Sequence, residues 1–392
     1  MTGQELLMGL SYIDPKYIEE SEQISTHLGN RNPASPSRPV KKLWLIAAVI
    51  ALTLLLVGCA VVYAHWASGL EDQFRPSNAI RQQAQQSSLS VLYPQDPAAE
   101  EGLSASDQGI TVSVKQTIVD KWNACIVLKI EGFSLPEGVQ PCFYGEPPTL
   151  DGDAEFWGSA GHKFYDGILI NESGESVYKN GDPIQEETYP MEEFSGFRYP
   201  VGKYYLPDGS MELTLRYAFN DTSGANLGKT LHLSFTGFGK ETDLGKAMTE
   251  CQQLVSGSWK LAIPLTGTSQ TIEIAPNAPL NEEGMTLLKA TIGQMSGQIE
   301  LQLTTYYAGL ASDEGLNPSL AGIRLKDGRL IQVVEGSSYY KDREALVYVQ
   351  EYRTFYEIID LSQVDALAFQ SGWESDAAGN PTIPVYQYVP IS

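Results

Sequence analysis

Positive charge is scarce in this chain of 392 residues: 26 Lys and Arg stand against 48 Asp and Glu, a formal net charge of -22. A DNA- or RNA-binding surface needs clustered cations to replace the counterions of the phosphates, so nucleic acid is excluded as a partner. Four Cys are too few for a disulfide-built scaffold, and four His are too few for a His-rich metal centre. G-x-S-x-G, P-loop and H-E-x-x-H motifs are all missing. Gly237-Phe238-Gly239-Lys240 lacks the first glycine and the length of a phosphate loop and reads as a turn. Asp151-Gly152-Asp153-Ala154-Glu155 offers hard oxygen ligands, but without a Glu at the twelfth position it reads as a solvated acidic loop rather than a Ca²⁺ site. His162 and His232 have no Cys, Asp or Glu at metal-ligand spacing. The expectation is therefore a protein with no catalytic residues, no metal and no cofactor.

What the chain does have is one long apolar run. From Leu43 to Ala64 no residue is charged, and as a helix the run would extend about 33 Å, enough for a bilayer core of about 30 Å. Trp44 at one end, with Tyr63 and Trp66 at the other, suits the two lipid–water interfaces. Arg31, Arg38, Lys41 and Lys42 precede the run, while Glu71 and Asp72 follow it. The positive-inside rule then puts residues 1–42 in the cytoplasm and residues 65–392 outside, with the span in the lipid bilayer. Residues 1–42 balance Lys16, Arg31, Arg38, Lys41 and Lys42 against Glu5, Asp14, Glu19, Glu20 and Glu22, so the whole -22 falls at or beyond the membrane. A cleaved signal would have a shorter and more basic start. Leu56-Val57-Gly58-Cys59 resembles a lipobox, which would lipidate Cys59, but the apolar run continues through Ala60 to Ala64.

Thr2-Gly3-Gln4-Glu5 fits a capping box, and Asp14-Pro15 fits a second helix start. Leu6, Leu7 and Leu10, then Tyr17 and Ile18, form an apolar face before a linker with Pro33, Pro36 and Pro39. Two such short helices bury too little to fold alone in water. The face is thus read as one that folds onto a protein partner, helix in groove, the alternative being an unstructured tail against the bilayer. Leu6, Leu7, Leu10, Tyr17 and Ile18 are the candidate partner-binding residues.

Outside, residues 65–105 read as a stalk, helical in part. From Gly109 the pattern changes to strands: Ile110, Val112 and Val114 alternate with Thr111, Ser113 and Lys115, and Cys125–Ile130 follows a turn at Asp120-Lys121-Trp122-Asn123. Further strands are expected at Met211–Tyr217, Thr230–Phe235, Trp259–Leu265, Thr271–Ile274, Met285–Ile292, Gln298–Thr304, Ile323–Leu325, Ala345–Val349 and Val364–Phe369, with turns at Pro207-Asp208-Gly209 and Lys326-Asp327-Gly328. Only Asp243–Leu254 looks helical, through Leu244, Met248 and Cys251. Gly109–Val112 and Lys115–Ile118 are echoed by Gly284–Leu287 and Lys289–Ile292 with one residue gapped, as if two sandwiches began alike. Cys125 and Cys142 could close a loop and leave Cys251 unpaired, but buried free thiols are the simpler account. Trp122, Trp157, Trp259 and Trp373 read as core or turn packing.

Several stretches stand out together: Glu5-Leu6-Leu7, Tyr12-Ile13-Asp14-Pro15-Lys16-Tyr17-Ile18-Glu19-Glu20, the span running into Val57–Tyr63, Gly109–Ile118, and Ser256-Gly257-Ser258-Trp259-Lys260-Leu261. In that order they resemble a family of Gram-positive single-pass membrane proteins, with an anti-sigma-factor-like N-terminus and uncharacterised immunoglobulin-like domains outside. The resemblance implies an N-terminal segment that holds a sigma factor of RNA polymerase until an outside signal releases it. The His and paired Cys of the zinc-dependent anti-sigma domain are absent here. The expected fold is mainly β outside the membrane, as two immunoglobulin-like β-sandwich domains on one transmembrane helix, with a short α-helical cytoplasmic N-terminus. The expected divisions are a cytoplasmic segment and linker at 1–42, the span at 43–64, the stalk at 65–105, a first sandwich at 106–266 and a second at 267–392. The function expected is a membrane-anchored signalling regulator, an anti-sigma factor that senses an envelope signal or an unidentified extracytoplasmic ligand through its outer β-domains. The alternative is a surface-anchored binding or adhesion module whose tail sets topology only.

Overall fold

Period-two alternation needs a sheet with one face in a core, and the chain builds several such strands in a row. The computed structural model describes residues 66–93, 102–151, 154–155, 158–171, 173, 175–189, 197–219, 225–242, 250–280, 285–304, 320–354, 357–375 and 381–391. Two helices, α1 (Ser68–Phe74) and α2 (Asn78–Gln86), come first. The strands of the first half are β1 (Ser90–Leu92), β2 (Ser104–Asp107), β3 (Ile110–Val119), β4 (Asn123–Glu131), β5 (Pro141–Gly145), β6 (Thr149–Leu150), β7 (Ala154–Glu155), β8 (Gly158–Phe164), β9 (Ile168–Ile170), β10 (Ser176–Tyr178), β11 (Glu186–Tyr189), β12 (Phe197–Pro200), β13 (Met211–Phe219), β14 (Thr230–Thr242) and β15 (Glu250–Pro264). Those of the second half are β16 (Ile272–Ile274), β17 (Ala278–Pro279), β18 (Thr286–Ile292), β19 (Ser296–Gln302), β20 (Leu320–Leu325), β21 (Leu330–Asp342), β22 (Val347–Thr354), β23 (Val364–Ser375) and β24 (Pro381–Pro390). The expected strands all fall on these, with ends shifted by a few residues, and the described residues are mainly β.

In the first half a sheet ordered β1-β3-β4-β13-β8 faces a second ordered β15-β14-β6-β7, with every pairing antiparallel. Val112, Ile126, Leu128, Leu213 and Leu215 from the first meet Leu231, Phe235, Phe238, Trp259 and Leu261 from the second in one core. Trp259 is fully enclosed, and its indole N–H donates to the Ile110 carbonyl of the opposite sheet at 2.9 Å. A buried indole needs such an acceptor, so the tryptophan also pins the two layers to each other. In the second half β21 belongs to two layers, its start pairing with β20 and the rest with β22. Leu287, Ile299, Leu301, Ile323, Leu367 and Phe369 fill that core.

The sequence echo between the halves is structural. β3 pairs with β4 across a register shift at Val114/Gln116, and β18 pairs with β19 across one at Leu287/Lys289. Both hairpins close alike: Asp120 N donates to Asn123 O at 2.9 Å, and Gly293 N to Ser296 O at 2.8 Å. The strand beyond each then bonds to the turn, Phe219 N to Trp122 O and Thr354 N to Met295 O. The preceding edges match as well, since β1 and β2 flank β3 as β16 and β17 flank β18.

Four expectations need correction. The described part of the stalk is no stalk: Trp66, Ala67, Leu70, Ala84 and Leu89 are buried against Ile118, Cys125 and Val127 on the outer face of the first sheet. Residues 250–254 extend β15 rather than a helix, because the β14–β15 ladder runs out to Thr242 and Glu250; residues 243–249 lie outside the described set. Gly237–Lys240 is no turn but part of β14, with register shifts on either side of Phe238, which is buried in the core. Cys142 is bonded to Cys251 across a sequence separation of 109, leaving Cys125 as the buried free thiol among the described residues. Strands β5 and β15 both pair with β14, which brings the two Cα atoms to 5.9 Å, within reach of a disulfide.

Candidate functional site: a cleft between the two halves

Strand β13 shows how the site is positioned. Met211, Leu213, Leu215, Tyr217 and Phe219 point into the first core, so Glu212, Thr214 and Arg216 face the other way. That face is covered where α1 lies: Glu212 is buried, ion-paired with Lys115 and accepting Gly69 N at 3.0 Å. The start of α1 is tied down too, Ala67 N donating to the Gln116 side chain at 2.9 Å. Farther along β13, beyond the helix, the face opens into a cleft.

The second half supplies the opposite wall. Ser296 Oγ donates to Asp120 Oδ2 at 2.5 Å, and Met295 and Ile358 join the apolar cluster around Trp66 and Leu70. Gln83 of α2 donates to Asp360 at 3.3 Å. The contact therefore involves both halves and both helices.

The cleft has a volume of about 540 Å³, within the range of about 300–1,000 Å³ seen for small-molecule sites. Arg216 and Lys163 come from the first half, Arg353 from the second, and Gln73 with Phe74 from the end of α1. Cys125 and Met295 also line it. Among the described residues no Asp or Glu lines it, in a chain with almost twice as many acids as bases. Arg216 is half-buried and Arg353 is exposed. Lys163 pairs with Asp166 at 2.9 Å while its side chain stays 60% exposed. Burial pushes the Cys125 thiol up; Arg216 and Arg353 both oppose this, and Asp120 reinforces it. Both guanidinium groups thus act on the same sulfur. His162 contacts Phe143 edge-on at 4.9 Å, and burial holds its imidazole below its ordinary range. It is therefore neutral at pH 7 and offers a hydrogen bond rather than charge. Asp120 lies in the interface, accepting Trp122 N at 3.0 Å and Asn123 N at 2.9 Å besides Ser296.

The chemistry available is recognition by charge and hydrogen bonding. Among the described residues no cluster of His, Cys, Asp and Glu could hold a metal ion. Asp151 has a local role, its carboxylate accepting Thr230 N at 2.9 Å. The partner face of Leu6, Leu7, Leu10, Tyr17 and Ile18 and the apolar run Leu43–Ala64 lie outside the described residues. Among the described residues no helix is long and apolar enough to cross a membrane. Sequence reading missed Arg216, Arg353 and Lys163 because they belong to separate strands, two in one half and one in the other, with no local motif to connect them.

Compared with known proteins, the chain matches no family model and no curated protein sequence. A solved structure, the conserved domain protein from Bacillus anthracis, is similar at a TM-score of 0.40 and 10% identity, over 76% of this chain and 93% of that one.

Proposed function

We propose that the protein is a membrane-anchored signalling regulator. Its N-terminal segment binds a sigma factor through Leu6, Leu7, Leu10, Tyr17 and Ile18, and its outer immunoglobulin-like β-domains sense an envelope signal. One observation carries the sensing half: Trp66, Ala67 and Leu70, which follow the apolar run closely in sequence, are buried among residues of both halves. An adhesin needs only a flexible tether there. A sensor needs the connection to be stiff, so that a change in the outer unit reaches the chain leaving the bilayer. The cleft adds to this, since Gln73 and Phe74 of α1 form part of its wall. The Cys142–Cys251 bond supports an oxidising, extracytoplasmic location.

The test is a pull-down from the native cell's lysate with residues 1–42, beside the same segment carrying Leu6→Ser, Leu7→Ser and Leu10→Ser. Retention of a sigma factor by the first and its loss with the second is the result expected. If neither segment retains one, the tail is a topology signal and the regulatory reading fails.

A further inference from the structure

We propose that the cleft between the two halves is a binding site for a small molecule carrying two or more phosphate or carboxylate groups, clamped between Arg216 of the first half and Arg353 of the second. This deepens the sensing reading by giving the ligand's chemistry. Its test reads binding alone, so it can fail while the sigma-factor assignment stands, and the reverse.

The argument begins with charge. A chain at -22 repels anions over most of its surface. A concave site lined by Arg216, Arg353 and Lys163, and by no acid among the described residues, is the opposite of what this composition yields by default. Low-dielectric walls focus such a field and raise the local concentration of an oppositely charged solute. Each guanidinium presents a planar fork of donors that matches a carboxylate or a phosphate bidentately. Two forks carried by different strands suit a ligand with two anionic groups better than a single small ion. The remaining lining agrees: Gln73, Asn123 and His162 supply neutral hydrogen-bonding groups, while Phe74 and Met295 give the ligand's carbon skeleton an apolar side.

The arrangement also explains why the two halves are held together as they are. Arg216 lies on β13 opposite Cys125 of β4, and Arg353 lies on β22 opposite Ser296 of β19. The Ser296–Asp120 bond fixes the strand that carries the second arginine's partner against the hairpin that leads into β4. An anion bound by both arginines links the halves across the same boundary and lies against α1.

The experiment uses the full chain in detergent micelles at about 0.15 M salt, which screens long-range charge effects. Thermal unfolding is followed against rising pyrophosphate and, separately, citrate. A saturable rise in melting temperature is expected with at least one of them. Arg353→Gln, at an exposed side chain, should weaken the apparent affinity about ten- to a hundredfold, the worth of a hydrogen bond to a charged group. Lys163→Gln is a second variant at an exposed position. Lys260→Gln, outside the cleft, removes the same charge and should bind as wild type. A response to pyrophosphate alone assigns a phosphate ligand, to citrate alone a carboxylate, and to both a site that reads charge. The proposal is overturned if neither anion gives a saturable shift, if Arg353→Gln and Lys163→Gln both bind normally, or if Lys260→Gln loses as much as they do.

Discussion

The hydroxyl of Ser296 donates to the buried carboxylate of Asp120 at 2.5 Å, joining the hairpin turn of one half to the equivalent turn of the other. Because Asp120 also accepts two backbone N–H groups of its own turn, the bond makes the first half's turn geometry and the contact between halves interdependent.

That pair has a pH signature. Burial pushes the Asp120 carboxyl above its ordinary value of 3.8, against the opposing pull of its hydrogen bonds. Its charge also reaches Cys125 and Tyr352, raising both groups. The folded protein therefore holds this proton more tightly than the unfolded chain does. Its contribution to stability is full below about pH 3.8 and is lost as pH rises through the folded value. Melting temperatures of wild type and Asp120→Asn across the acidic range should show the wild type losing ground to the variant as pH increases. A gain instead would contradict the assignment. Ser296→Ala, which removes one donor to a buried carboxylate, should cost about 1–3 kcal/mol.

The Cys142–Cys251 bond should matter for stability, since it closes a loop with a sequence separation of 109. Replacing both cysteines with Ser is expected to lower the unfolding free energy by about 2–5 kcal/mol. Peptide mapping without reductant should recover Cys142 linked to Cys251, with Cys125 as a free thiol. A recovered Cys125–Cys142 peptide would contradict this pairing.

If the segment after the apolar run is part of the β-unit, its apolar residues should behave as core. Leu70 is fully buried in α1, so Leu70→Ala should destabilise the unit by about 2–5 kcal/mol. Gln82→Ala, at an exposed position of α2, should change stability by no more than about 0.5 kcal/mol. Equal and negligible effects in chemical denaturation would restore the tether.

Strands were legible because alternation reports which side of a strand meets a core, and that is a local property. Ile110, Val112 and Val114 or Leu213, Leu215 and Tyr217 announce an inner face with no knowledge of what lies opposite. The turn at Asp120–Asn123 and the kinship of β3 with β18 were readable for the same reason. The helical spacing of Leu244, Met248 and Cys251 was local as well, and for residues 250–254 it misled: a ladder with β14, invisible from within the segment, determines the conformation from Glu250 onward. Residues 66–93 misled in another way. Their polar runs hide the few apolar positions, such as Leu70 and Leu89, that anchor them.

The sequence by itself determined the strand pattern, the repeat, the deficit of positive charge and the apolar run ahead of the β-rich part. Each of these depends on neighbours along the chain or on totals over it. Tertiary structure alone decided which cysteines bond, what covers the polar face of β13, and that Arg216 and Arg353 share one cleft. Those facts depend on residues far apart in sequence meeting across a sheet or between halves, and sheet pairing and packing set such distances while leaving no trace in local spacing.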